Sequence, residues 1–213
     1  MKPIVPPDID AYCTAHSVPP SALLHELYEH TNRNCADPQM LIGPLEAALL
    51  QTLIRVSGAR RVVEVGTFTG YSALAMAEAL PLDGHVLTCE IEATHAAIAR
   101  SFFARSPVGT KIELRLGPAL DTLRALPADA AFDFAFVDAD KENYLNYYDA
   151  LLPRLKPGAL LVADNTLWSG RVLAPSKPTD HALVEFNRRV RDDARVETVL
   201  LPARDGVTLV RKK

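Results

Sequence analysis

Arg61-Val62-Val63-Glu64-Val65-Gly66-Thr67-Phe68-Thr69-Gly70 carries a short apolar strand straight into a glycine-bounded turn, and Tyr71–Leu80 follows as a helix stopped by Pro81. A nearly unbroken apolar run such as RVVEV is what a strand covered on both faces needs. The glycines permit a tight turn and let the backbone come close to a bound ligand. Strand, glycine loop and helix in that order open a parallel α/β sheet whose ligands sit at the carboxyl ends of the strands.

The same rhythm continues outward. His85–Ile91, Lys111–Leu116, Phe132–Val137 and Ala159–Ala163 read as further strands. Helices are predicted over Ala93–Arg105, Ala119–Leu126 and Glu142–Leu155. After a helix over Asp180–Asp193, the strands Arg195–Leu201 and Gly206–Arg211 are joined by a turn containing Asp205-Gly206. So short a connection makes them antiparallel, because a parallel pair needs a crossover of a dozen or more residues. The expected fold is therefore a Rossmann-like α/β sheet, seven-stranded and mostly parallel, with an antiparallel C-terminal hairpin and helices on both faces. Class I methyltransferases end this way, whereas ordinary dinucleotide-binding folds end on a parallel sixth strand. Toward the amino terminus, Ser21–Asn32 and Leu45–Val56 read as helices, the second opening on Gly43-Pro44. With no repeat or linker in view, residues 1–213 form one expected domain: a helical cap (1–59) and a cofactor-binding sheet core (60–213).

Composition narrows the partners. The chain has 213 residues, 48% hydrophobic and 23% charged, with a net charge of -3 and no basic block beyond Arg211-Lys212-Lys213. That balance argues against extended nucleic-acid binding and favours a small molecule. No uninterrupted apolar run approaches the ~18 residues of a membrane span. MKPIVPPDID places prolines and acids where a signal peptide would be apolar. Cys13, Cys35 and Cys89 form no C-x-x-C pair and leave one unpaired in any disulfide scheme. A cytoplasmic, reduced setting is expected.

The glycine loop is spaced G-x-x-x-G, not the G-x-G-x-x-G of a dinucleotide site, and so suits a nucleoside joined to an amino acid without a pyrophosphate. Glu90 closes the second strand about twenty positions after Gly70, where an acid can accept hydrogen bonds from ribose hydroxyls. Asp138 ends the fourth strand within Val137-Asp138-Ala139-Asp140-Lys141, and Asp164-Asn165 ends the fifth. These three side chains would converge at the carboxyl edge of the sheet with oxygen ligands only. Such a set selects Mg²⁺, Mn²⁺ or Ca²⁺ over zinc. Taken singly, each is also an ordinary helix cap. Lys141, on the next turn, would feel the cation's repulsion, which favours its neutral form and fits a general base.

VVEVGTFTGYSAL, FVDADKENYLNYY and DNTLWSG (Asp164–Gly170) resemble the cation-dependent O-methyltransferases of the caffeoyl-CoA type and their bacterial, catechol O-methyltransferase-like relatives, over about residues 38–213. The resemblance implies S-adenosylmethionine as methyl donor, a divalent cation on Asp138, Asp164 and Asn165, Lys141 as base, and a homodimer. It implies cofactor contacts at Ile42, Glu64, Gly66, Thr67, Ser72, Glu90, Ala119 and Asp140, with Met40 near the reacting methyl and Asp138 also touching substrate. Trp168, Ser169 and Arg171 fall in a proline-bearing loop to about Thr179, the expected substrate lid. Ser169 stands where plant enzymes carry an asparagine that contacts substrate, which weakens the case for a coenzyme A ester. Ala47 replaces a usual glycine, and the Leu126–Phe132 connection is shorter than in many members. The expected acceptor is a vicinal-dihydroxy aromatic such as a catechol, flavonoid or hydroxycinnamoyl compound. A hydroxylated tRNA uridine, or a nicotinamide-dependent oxidation instead of methyl transfer, are the alternatives. Tyr144, Tyr147 and Tyr148 share one helix and read as packing, with Tyr147 able to reach the pocket.

Overall fold

The computed structural model describes residues 4–127, 129 and 131–213. Among them, seven strands make one sheet: β1 (Arg61–Val65), β2 (His85–Glu90), β3 (Ile112–Leu116), β4 (Phe132–Val137), β5 (Leu155–Ala163), β6 (Val196–Leu201) and β7 (Val207–Lys212). Their order across the sheet is β3-β2-β1-β4-β5-β7-β6. The first five strands run parallel, and β7 lies antiparallel between β5 and β6. Strand order reverses between β1 and β4, and that switch point opens a crevice at their carboxyl ends.

Helices cover both faces. On one side α2 (Ala22–Asn34), α3 (Gly43–Ser57), α4 (Tyr71–Ala79) and α5 (Ala93–Phe103) bury Leu24, Leu50, Leu74 and Phe102 with Val62, Phe134 and Phe136 of the sheet. On the other, α6 (Ala119–Ala125), α7 (Tyr144–Leu151) and α8 (Pro178–Asp192) bury Leu123, Tyr148 and Phe186 with Val63, Val65, Ala135 and Val137. Val62 goes to one core and Val63 and Val65 to the other. The apolar run of β1 therefore serves two layers.

Three differences from the expectation have physical causes. The helix expected over Glu142–Leu155 is a 3₁₀ turn at Lys141–Asn143, then α7, then a second 3₁₀ turn at Leu152–Arg154. Pro153 cannot donate into a helical ladder, so α7 stops at Leu151 and β5 starts at Leu155. An unexpected helix, α1 (Pro7–Ala15), begins at a proline but buries none of its residues, so no apolar stripe announces it. Pro38–Ser57, with mean hydropathy 1.3, is long and apolar enough by composition to cross a membrane, contrary to the expectation that nothing approached a span. Here α3 lays Ala47, Leu50 and Ile54 into the core. Residues 1–3 at the amino terminus, and part of the short Leu126–Phe132 connection, lie outside the described residues.

Candidate active site

A cavity of about 770 Å³ opens at the carboxyl ends of β1, β2, β4 and β5, within the size range of small-molecule sites. Its walls bring together Met40, Ile42, Gly66, Thr67, Ser72, Glu90, Ala119, Asp138, Asp140, Lys141, Asp164, Asn165 and Trp168. These came from six separate stretches of sequence. The parallel sheet gathers them because each βα connection leaves a strand at the same edge.

The loop after β1 is set by close approach. A Cβ on Gly66, whose φ is +99°, would lie 1.9 Å from the carbonyl oxygen of Asp138, so only glycine lets the β1 and β4 ends meet. Glu90 holds the neighbouring turn: its carboxylate accepts the Phe68 amide at 2.6 Å and the Glu92 amide at 2.9 Å. Glu64 is wholly buried and is absent from the cavity lining. It braces the loop from below, accepting the Thr88 hydroxyl at 2.5 Å, with Thr88 and Thr67 hydroxyls also 2.5 Å apart. Burial pushes the Glu64 carboxyl up to about 7, although the Ser72 and Thr88 hydroxyls hold it back.

At the other end stand the expected cation residues. Asp164 is buried, and its carboxylate accepts the backbone amide of Asn165 at 2.6 Å and the side-chain amide at 2.9 Å. Burial first, and then the Asp138 charge, pushes the Asp164 carboxyl up to about 7. Glu46 of α3 adds another buried carboxylate, raised well above the ordinary range by burial, with neither oxygen hydrogen-bonded. Two carboxylates and an amide, all oxygen donors with acidic charge in excess, fit a hard divalent cation. Among the described residues, no cluster of three or more His, Cys, Asp or Glu side chains stands at metal-ligating separation. The fit rests on the mixed acid–amide set.

Lys141 is buried on the 3₁₀ turn between β4 and α7. Its ammonium donates to Asp138 at 2.9 Å and to the Tyr144 hydroxyl at 2.6 Å, and lies 5.6 Å from the Trp168 ring centre. Tyr144 in turn donates to the Asp164 carbonyl at 2.9 Å. It links lysine and cation residues through one hydroxyl. Edge contact with buried Phe186 of α8, at 5.5 Å between ring centres, fixes the Tyr144 ring. Tyr144, expected only to pack, is thus part of the site, while Tyr147 lines the cavity and donates to Asp140 at 2.5 Å.

The loop Trp168–Leu173 divides its expected substrate residues. Trp168 lines the cavity, but Ser169 and Arg171 do not. The Ser169 amide donates to Asp205 in the β6–β7 turn. Arg171 turns to the fully buried Asp180, at 3.2 Å, and its guanidinium stacks over the Trp168 ring at 4.6 Å. Both residues hold the loop in place. Arg204, also in the β6–β7 turn, lines the cavity without having been expected there. Phe68, Asn165, Trp168 and Arg204 all line it with φ between +49° and +56°, a left-handed region costly for residues with side chains. Such strain gathers at ligand sites.

The O-methyltransferase family pattern matches residues 14–213. A caffeoyl-CoA O-methyltransferase 2 of Zea mays is 43% identical over 179 residues, which is 78% of this chain and 68% of that protein. A catechol O-methyltransferase domain-containing protein 1 of Mus musculus is 45% identical over 172 residues, covering 78% of this chain and 66% of its own length. Among solved structures, an O-methyltransferase of Bacillus cereus in complex with SAH superimposes with a TM-score of 0.89 at 30% identity, covering 97% of each chain. The O-methyltransferase TomG of Streptomyces achromogenes, in complex with SAM, gives 0.88 at 31% identity, over 97% of this chain and 96% of that one.

Proposed function

Because the chain belongs to the O-methyltransferase family and is an S-adenosylmethionine-dependent O-methyltransferase, we propose that it methylates one hydroxyl of a vicinal-dihydroxy aromatic small molecule with the aid of a divalent cation, Mg²⁺ first among candidates. The observation that carries this reading is the buried Lys141 amino group, fixed between Asp138 and Tyr144 beside Asp164 and Asn165, in the cavity that also holds the Gly66 loop.

Gly66, Thr67, Ser72, Glu90, Ala119 and Asp140 would hold S-adenosylmethionine, which supplies the methyl group, with Ile42 and Met40 covering it and Glu64 bracing the loop beneath. Asp138, Asp164 and Asn165 would hold the cation, whose Lewis acidity favours the ionised form of an acceptor hydroxyl. Trp168 offers a flat face for the acceptor ring. As the neutral amine, Lys141 Nζ takes the proton from the attacking hydroxyl, and the ammonium so formed is held by Asp138 and the Tyr144 hydroxyl, the two partners it has in the ligand-free chain. Ser169 and Arg171 serve by holding the Trp168 loop. A homodimer belongs to the same reading: Val56 of α3 is an exposed large apolar side chain, one helical turn from Leu53, which is half-buried against the core.

Stripping divalent ions with a chelator should abolish methylation of 3,4-dihydroxybenzoate and added Mg²⁺ should restore it; full turnover in metal-free buffer would sink the cation. Lys141→Met should lower kcat by about 10²–10⁴-fold. Its affinity for S-adenosylhomocysteine, measured by calorimetry, should stay close to that of the parent chain.

A further inference from the structure

Arg204 stands at the tip of the β6–β7 turn with φ +49°, and it lines the cavity whose wall also includes Lys141, Asn165 and Trp168. The strained backbone directs a long cationic side chain inward, where a turn residue would ordinarily face water. Its protein contacts are slack. Nη2 lies 3.4 Å from the Leu41 carbonyl and Nη1 lies 3.4 Å from a Glu46 carboxylate oxygen. Both exceed the usual 2.7–3.2 Å, and a guanidinium has five N–H groups to place. A structural counter-ion for Glu46 would show a short, paired contact of the kind Arg105 makes with Glu26. Apart from these two long contacts the fork has no polar partner among the described residues, and a planar fork of donors matches a carboxylate. A neutral diol has no group that calls for it.

We propose that Arg204 is a specificity-determining residue that selects vicinal diols bearing a carboxylate, so that the preferred acceptor is a dihydroxylated aromatic acid. This rests on the diol reading above. Trp168, the chain's one tryptophan and part of the cavity wall, reports binding by its fluorescence. The full chain, saturated with S-adenosylhomocysteine and Mg²⁺, is titrated with 3,4-dihydroxybenzoate and its methyl ester, and with 3,4-dihydroxycinnamate and its methyl ester. Each pair differs in charge and little in shape. At least one acid should bind tenfold or more tightly than its ester. Arg204→Gln should bring the pair to within threefold, and Arg204→Lys should keep most of the preference. If Arg204→Gln does not fold, Glu46→Gln/Arg204→Gln, which leaves no orphaned carboxylate, carries the same comparison. Equal binding of acids and esters by the parent chain, or a preference that survives the loss of Arg204, overturns the inference. Binding of none of the four compounds overturns the diol reading and the inference with it.

Discussion

Glu64 shows how a single buried carboxylate ties stability to the site. Its proton affinity in the folded chain, near pH 7, lies above the ordinary 4.5, so between those values the folded chain keeps a proton that the unfolded chain has released. The associated stability is complete below about pH 4.5 and is lost as pH rises through 7. The difference amounts to at most about 3 kcal/mol. Glu64→Gln should therefore stabilise the cofactor-free protein relative to the parent at pH 8 by up to that amount, and by little at pH 5. Urea unfolding at both pH values checks it, and a parent-minus-variant difference that does not change with pH would remove Glu64 from this role. At the same scale, legibility in the sequence follows chain distance. Asp138 and Lys141 are three positions apart beside a strand end, and Asp164-Asn165 repeat the pattern, so their meeting could be read directly. Arg204 reaches Glu46 and Leu41 from the far end of the chain. No local spacing encodes that contact. Ser169 and Arg171 looked like substrate residues because their partners, Asp205 and Asp180, are equally remote in sequence or hidden by burial.

The element that most needs its neighbours is the turn after β5. Gly206, at φ +90°, accepts the Thr166 amide at 2.9 Å and the Thr166 hydroxyl at 3.0 Å, stapling the β6–β7 turn to the segment that carries Asn165 and Trp168. A Cβ there would meet Leu167 Cγ at 2.5 Å and its backbone nitrogen at 2.6 Å. Gly206→Ala should cost about 1–3 kcal/mol through this strain, seen in denaturant unfolding, and should weaken Mg²⁺ binding by displacing Asn165. Unaltered Mg²⁺ affinity in a folded variant would mean that the turn does not position the cation residues. Elements were readable in the sequence wherever burial was two-sided or strictly periodic, as in β1 and β4. The boundary between α7 and β5 was not, because Leu151, Leu152 and Leu155 fit a buried helix end or a strand start equally well and only Pro153 decides between them. Helix α1 escaped for the opposite reason, since it buries nothing.

Across the whole molecule, the cavity is walled by the βα connections, by the segment from Gln39 to Ile42 ahead of α3, and by the β6–β7 turn. A ligand that touches all of these should stabilise the folded chain as a unit. S-adenosylhomocysteine at about 100 times its Kd should add roughly 2.7 kcal/mol, which for a domain of this size raises Tm by about 5–10 °C. NADH at the same concentration should give no shift, and a comparable shift with NADH would revive the oxidoreductase alternative.

The placement of β7 between β5 and β6 bears on how the chain is made. On a ribosome, Leu155–Ala163 and Val196–Leu201 emerge before the strand that joins them. Until Val207–Lys212 arrives, β5 presents an open hydrogen-bonding edge to every other nascent chain, an invitation to mispairing. The sheet can be completed only by inserting β7, made after both of its neighbours, into an interior slot, so the chain stays exposed to mispairing until that strand has emerged.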